Sequence, residues 1–480
     1  MSKPMNFIFF NPDELRAESI GCYGHQLVRT PNIDQLAGEG TRFHNCFCQA
    51  PLCGPSRCSL ATGWYPHVRG HRTNTYLVRP GEPNMFRYLK KAGYHVYWDG
   101  GHNDLLAEES FADSVSELKN SGAFHWNFNH YENDDPRKFS FLYEPYDMPL
   151  AQHGDYAKVQ AAIDFLKRDH DKPFAVWLPL LYPHAPYSAP QPWHDMYNPD
   201  EIPALRDINS CENKPEYYTR IRESRRLGQL DEAFFRKINA VYLGMTSFID
   251  KILGDLLQAL NETGLAENTA IVFFSDHGDW AGDYGLVEKW SNAMDDILLR
   301  VPLIIKAPGC KQGHVVNEQT EVLDILATVL DLAGIESGHD HFSQSLVPQL
   351  KGAAGDPDRP VYAEGGYDAH EIREKSKEEL NGARGPWQHY YPKALVEFEH
   401  PSTIARTSMI RTPRYKYVRR TSGEHELYDV QADPLEYKNL AGNAEYAAVG
   451  NEMAGRLLDW FVRTSDVIDS AVDERGIPQE

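Results

Sequence analysis

Pro51-Leu52-Cys53-Gly54-Pro55-Ser56-Arg57-Cys58-Ser59-Leu60-Ala61-Thr62-Gly63 is the stretch on which the reading of this chain turns. Pro55 suits the first turn of a helix, where a missing N–H costs nothing. Ser56, Arg57, Ser59, Leu60 and Ala61 continue a helical run, and Gly63 stops it. Cys53 is thereby placed at a helix N-terminus, where free N–H groups and the helix dipole favour an anion. Arg57, one turn on, can fork onto two oxygens of an oxyanion. That setting marks Cys53 as functional, whereas Cys22, Cys46, Cys48, Cys58, Cys211 and Cys310 read as ordinary small core side chains.

Outward from this stretch, apolar runs at 6–10, 94–98, 174–181, 269–274 and 301–306 read as buried parallel strands. Helical patterns lie between them, at 84–92, 157–167, 232–260 and 322–333, the last closed by Gly334. Strands alternating with helices imply an α/β sandwich around a mainly parallel sheet. Past Gly352 the texture changes. Residues 368–392 are polar and read as a surface insertion, 407–412 and 415–420 as an antiparallel pair around Pro413, and 445–463 as a final helix.

Ligands of open α/β sheets bind outside the carboxyl ends of the strands. Four such ends carry polar residues: Asp13-Glu14, His102-Asn103-Asp104, Pro183-His184 and Asp276-His277-Gly278. Asp13, Asp276 and His277 offer two carboxylates and an imidazole to one divalent cation. Oxygen-rich coordination favours Ca²⁺ or Mg²⁺, and the histidine leaves Mn²⁺ or Zn²⁺ open.

A Cys, a small residue, Pro-Ser-Arg and then Thr-Gly resembles the way type I sulfatases, within the alkaline phosphatase superfamily, mark the cysteine that becomes formylglycine. The resemblance runs over nearly the whole chain. It takes in Asp13-Glu14-Leu15-Arg16-Ala17, Pro31-Asn32-Ile33-Asp34-Gln35-Leu36-Ala37, Tyr182-Pro183-His184-Ala185-Pro186-Tyr187, Asp276-His277-Gly278, Glu288-Lys289, Glu426-Leu427-Tyr428-Asp429 and Asp433-Pro434. It implies an alkaline-phosphatase-like sandwich with a large, mainly parallel mixed sheet. Residues 1–367 would form the catalytic domain, and 368–480 a small C-terminal subdomain with a short antiparallel sheet and a helix. By the same resemblance Asp13, Glu14, modified Cys53, Asp276 and His277 hold one metal, Ca²⁺ first, with Mg²⁺ or Mn²⁺ as alternatives. Arg57 and Lys289 would stabilise charge, and His184 would touch the ester oxygen. Two positions depart from the family pattern. Glu14 stands where a second Asp is usual. Gly100-Gly101-His102-Asn103-Asp104 stands where the family has Gly-Lys and then His two residues on, so His102 takes the sulfate-holding role and Asp104 the place beside the aldehyde hydrate.

The bulk numbers agree with an enzyme of this class. The chain has 480 residues, 41% hydrophobic and 24% charged, enough for a large domain and a smaller one. A net charge of −21 argues against nucleic acid or an anionic membrane as partner, and requires positive charge to be gathered locally wherever an anion binds. Seven cysteines without a CxxC pair read as reduced thiols. The short apolar run near the start is no signal peptide, and together these place the protein in the cytoplasm, unless a leader has been removed. The expected activity is metal-dependent hydrolysis of a carbohydrate or aryl sulfate, with a formylglycine-generating enzyme as maturation partner. A phosphonate monoester or phosphodiester hydrolase is the alternative, and a non-catalytic anion- or sugar-binding descendant a third. The 26 tyrosines and 9 tryptophans suit carbohydrate stacking, though large cores use them too.

Overall fold

The computed structural model describes residues 4–100, 104–122, 129–368 and 388–467. His102 and most of the polar stretch, 369–387, lie outside the described residues. Eight strands form one sheet: β1 (Asn6–Asp13), β2 (Thr41–Phe47), β3 (His95–Asp99), β4 (Glu117–Lys119), β5 (Phe174–Pro183), β6 (Thr269–Phe274), β7 (Arg300–Lys306) and β8 (His314–Glu321). Their order is β4-β3-β5-β1-β6-β7-β2-β8, with β1 central.

β1 shows why the sheet is covered on both faces. Its side chains alternate between two cores, Ile8 and Phe10 in one, Phe7 and Phe9 in the other. The first core holds the helices Pro31–Glu39, Gly154–Leu166 and Glu232–Glu262 through residues such as Leu36, Val159 and Ile249. The second holds Cys53–Thr62, Met85–Lys91 and Asp324–Ala333 through Leu60, Phe86 and Val329. Among the described residues no helix is long and apolar enough to cross a membrane.

The sheet is mixed and mainly parallel, as expected, but the reading of 301–306 as a parallel strand needs correction. β7 runs antiparallel to both β6 and β2, while the pairs of β1 with β5 and β6, β3 with β4 and β5, and β2 with β8 are parallel. A strand buried on both faces is apolar throughout, so its composition carries no direction. β2 and β8 escaped the hydrophobic reading because His44, Asn45, Asn317, Glu318 and Gln319 interrupt them.

A second sheet has the order β12-β11-β10-β9, from β9 (Val361–Gly365), β10 (Thr407–Arg411), β11 (Tyr415–Arg420) and β12 (Glu426–Asp429), every pair antiparallel. The helix Ala447–Arg463 covers it with Met453, Leu457 and Trp460.

Beyond the carboxyl end of β6 the chain passes tightly beneath residues 297–298. Gly278 N–H donates to the Leu298 carbonyl at 2.7 Å, and a Cβ there would lie 2.1 Å from the Ile297 carbonyl oxygen. Gly278→Ala is expected to cost about 2 kcal/mol or more, because backbone rather than a flexible side chain must give way. A thermal scan should show the midpoint falling by several degrees, and an unchanged midpoint would refute the steric argument.

Candidate active site at the carboxyl edge of the sheet

Asp13 closes β1, and Asp276 and His277 follow β6, its parallel neighbour, so two adjacent strands deliver their polar ends to one place. Ser275 ties the two ends together. Its hydroxyl accepts from Leu15 N–H at 2.9 Å and lies 3.0 Å from the carbonyls of Pro12 and His277. Glu14 has φ 64°, a left-handed conformation unusual for a side chain of its size. Tyr242 holds that turn: its hydroxyl donates to the Glu14 carbonyl at 2.6 Å and accepts from Arg16 N–H at 3.1 Å.

Cys53 opens the helix Cys53–Thr62, with Leu52 as N-cap and Gly63 closing it at φ 70°. The N-terminal placement expected from the sequence is therefore observed. Ser56 Oγ donates to the Asp276 carbonyl at 2.6 Å and fastens the helix to the end of β6. Gly54 N–H donates to Asn74 Oδ1 at 2.9 Å, a contact that no motif announced.

Cys53 Sγ lies 3.2 Å from His277 Nε2 and 3.5 Å from Asp13 Oδ1. Ligand atoms of Asp13, Cys53, Asp276 and His277 all fall within 4.8 Å of one another, and all four residues are buried. His277 Nδ1–H donates to the Gly278 carbonyl at 2.9 Å, which leaves the Nε2 lone pair facing Cys53. Arg57 donates from Nε to Asp276 Oδ2 and from Nη2 to Asp13 Oδ2, both at 2.8 Å. Burial opposes charge on this guanidinium, but the carboxylates of Asp276 and Asp13 outweigh it and raise its pKa. Burial, and then the charge of Asp13, push the Asp276 carboxyl up despite Arg57. Cys53 is only 2% exposed, and burial followed by the charges of Asp13, Asp276 and Asp104 drives its thiol well above the ordinary value. The encoded cysteine is therefore a protonated thiol and a poor nucleophile.

A second group faces the first. Lys289 Nζ bonds Glu14 Oε1 and lies 2.7 Å from His184 Nε2, which is itself 3.2 Å from Glu14 Oε1. His184 Nδ1 bonds the Ala185 carbonyl, so its Nε2 is the acceptor toward the ammonium. Burial, reinforced by Lys393 and opposed by Asp13, brings Lys289 down to about 7. Glu14 thus reaches away from the Cys53 cluster toward Lys289 and His184, though one of its carboxylate oxygens also groups with Asp13 and His184. Its Oε2 is buried, and among the described residues it has no hydrogen-bond partner. A carboxylate oxygen of this kind, beside the carboxylates of Asp13 and Asp276 and the Nε2 lone pair of His277, fits a divalent cation.

Asp104, at φ 34°, is half-buried, and its negative charge acts on Cys53 and Arg57. The chain after the polar stretch also reaches the site, which no reading of its sequence indicated. Lys393 donates to Glu288 Oε1 at 2.8 Å and to the Lys289 carbonyl at 3.2 Å. The pattern Tyr390-Tyr391-Pro392-Lys393-Ala394-Leu395-Val396, with Pro in a first helical turn, was the available signal.

With this geometry in view, the comparisons with known proteins are specific. The Sulfatase family model matches residues 5–335, and the model for the C-terminal part of N-sulphoglucosamine sulphohydrolase matches residues 366–462. The chain is 28% identical to the ulvan-active sulfatase of Formosa agariphila, over 95% of this chain and 80% of that protein. It is 27% identical to the Delta 4,5-hexuronate-2-O-sulfatase of Bacteroides thetaiotaomicron, over 96% of this chain and 89% of that protein. The phosphonate monoester hydrolase of Agrobacterium radiobacter has the same fold, with a TM-score of 0.76 at 22% identity, covering 99% of this chain and 100% of that one. A family match spanning most of the chain thus joins the formylglycine-type motif around Cys53 and the acids gathered about it: the chain belongs to the sulfatase family of the alkaline phosphatase superfamily and is a sulfatase.

Proposed function

We propose that the protein hydrolyses an organic sulfate ester, of a saccharide first and an aryl alcohol second, at formylglycine made from Cys53, with a divalent cation held by Asp13, Asp276, His277 and Glu14. The observation that carries this reading is the buried grouping of Cys53 with Asp13, Asp276 and His277, with Lys289 and His184 opposite. The family match and the activity named for the hexuronate sulfatase support a saccharide ester. Bound there, the cation would neutralise sulfate oxygens and acidify a hydroxyl, and the hydrated aldehyde would offer one hydroxyl to attack sulfur and a second to release sulfate.

The chain's own residues supply the rest. Arg57 holds the Asp13 and Asp276 carboxylates in place and lends positive charge to the equatorial oxygens. Lys289, buried and near neutrality in pKa, shares a proton with His184 Nε2, and this pair protonates the departing alcohol. Asp104 is the candidate base for the second hydroxyl, and His102 the candidate holder of a sulfate oxygen. Cytoplasmic residence and maturation by a formylglycine-generating enzyme complete the reading.

Asp104 also favours a second reading. An acid stands beside Cys53 where the family carries a Lys and His pair, and the phosphonate monoester hydrolase of Agrobacterium radiobacter shares the fold, which supports a phosphonate monoester or phosphodiester as the alternative substrate. A paired screen separates the two: sulfated sugars and aryl sulfates against phenyl phosphonate and bis-aryl phosphate. A kcat/KM higher for the phosphorus esters would reverse the assignment. Maturation is tested independently. Peptide mass spectrometry on protein made with a formylglycine-generating enzyme should show the Cys53 peptide lighter by about 18 Da, the change from CH₂SH to CHO. Fully active protein carrying only cysteine would end the formylglycine proposal.

A further inference from the structure

Tyr390 immediately precedes the helix Tyr391–Glu399, which is pinned to the catalytic wall. Lys393 holds Glu288 and the Lys289 carbonyl, and Ser224 Oγ donates to the Pro392 carbonyl at 2.9 Å. The Tyr390 ring meets Phe141 at 5.2 Å and His389 at 4.6 Å, both edge to face. His389 Nδ1 is 2.9 Å from the Tyr143 hydroxyl. Phe141 has φ 62°, a conformation a bulky residue keeps only when its surroundings enforce it, and the Arg225 guanidinium lies 4.8 Å over its ring. The wall is therefore pre-formed.

Tyr390 itself is half-buried, and among the described residues its hydroxyl makes no hydrogen bond. Burial and then Glu288 push its phenol well up, and the charges of Cys53 and Asp13 add to this. The group is thus a neutral donor on a segment fastened to Glu288 and Lys289, the side assigned above to the departing alcohol. It takes no part in neutralising sulfate. A pre-formed aromatic wall that carries a phenol hydroxyl suits an amphipathic ring, which stacks by its C–H face and bonds by a hydroxyl.

We propose that Tyr390 determines specificity in this sulfatase: its hydroxyl donates to a ring hydroxyl of a saccharide whose sulfate sits at Cys53, and the Tyr390–His389 faces carry the sugar ring. This rests on the sulfate-ester reading above. The test compares the parent with Tyr390→Phe on N-acetylglucosamine 6-sulfate, glucosamine 2-N-sulfate, galactose 6-sulfate and an unsaturated hexuronate 2-sulfate, with 4-nitrophenyl sulfate as an ester lacking hydroxyls. On the sugar that is cleaved, KM should rise about tenfold with kcat nearly unchanged, as for the loss of one neutral hydrogen bond at the site. On the aryl sulfate kcat/KM should stay within about twofold, and Tyr390→Ala should impair the sugar further by removing the stacking face. Equal effects on both substrates would show a merely structural role and overturn the proposal, as would no effect on either. A parent that cleaves the aryl ester but none of the sugars overturns the saccharide assignment alone. A parent that cleaves neither overturns the sulfate-ester reading, and the inference falls with it.

Discussion

Cys53→Ser lowers sulfate-ester turnover by at least about 10⁴-fold, the scale on which removing a catalytic nucleophile acts. The side chain is nearly the same size and lies in a site already lined with acceptors, Asp13 Oδ1 at 3.5 Å and His277 Nε2 at 3.2 Å. A serine hydroxyl is accommodated there, so the thermal midpoint stays close to that of the parent. The loss is chemical. A serine carries one hydroxyl, and once sulfated has none left with which to expel the group; a hydrated aldehyde has two on one carbon. Steady-state kcat on 4-nitrophenyl sulfate, together with intact-protein mass spectrometry of the variant, measures both parts. A serine variant within about tenfold of the parent would show that a single hydroxyl or thiol suffices, and would remove formylglycine from the mechanism.

Arg57→Ala has the largest expected effect on stability. Arg57 is fully buried and spans Asp13 and Asp276, with one 2.8 Å hydrogen bond to each. Removing one member of a buried ion group leaves its partners' charge desolvated, a cost of about 3–5 kcal/mol. Here two carboxylates repel one another as well, and each reaches neutrality only by taking up a proton. In chelator-treated protein the thermal midpoint should fall steeply, and adding Ca²⁺ should recover part of the loss by supplying the missing positive charge. Adding Asp276→Asn to Arg57→Ala should restore stability without Ca²⁺, since it removes one of the two charges. Chelated Arg57→Ala protein as stable as the parent would mean that the guanidinium does not hold the carboxylates. A double variant no better than the single one would mean that their repulsion is not the cost.

The amount of this site legible in the chain differs from residue to residue. Cys53 and Arg57 were legible because four residues of helix bring them together: the local pattern alone fixes one turn between them. Asp13, Asp276 and His277 were legible as strand-end residues, and the motifs they resemble named them as a set. Their convergence depends on β1 and β6 being parallel neighbours 263 positions apart in register, Asn6 opposite Thr269. Glu14 was legible as an acid but not in its direction, which the left-handed turn and the Tyr242 clamp decide. Tyr390 and Lys393 were hidden, because a polar stretch precedes them and nothing local ties that segment to the catalytic edge.

The sequence by itself determined the alternating α/β order, the two-faced burial of β1, the helix start at Cys53 and the acidic, formylglycine-type motif set. These are local properties, written in periods of two and 3.6 residues and in capping chemistry. Only the tertiary structure decided the antiparallel course of β7, the bridge from Arg57 to both carboxylates, the turning of Glu14 to Lys289 and His184, and the return of residues 388–399 to the site. Each depends on which distant groups share one buried space. In that space desolvation makes every unpaired charge costly, so the pairing of charges is settled by the packing of the whole chain and not by neighbours in sequence.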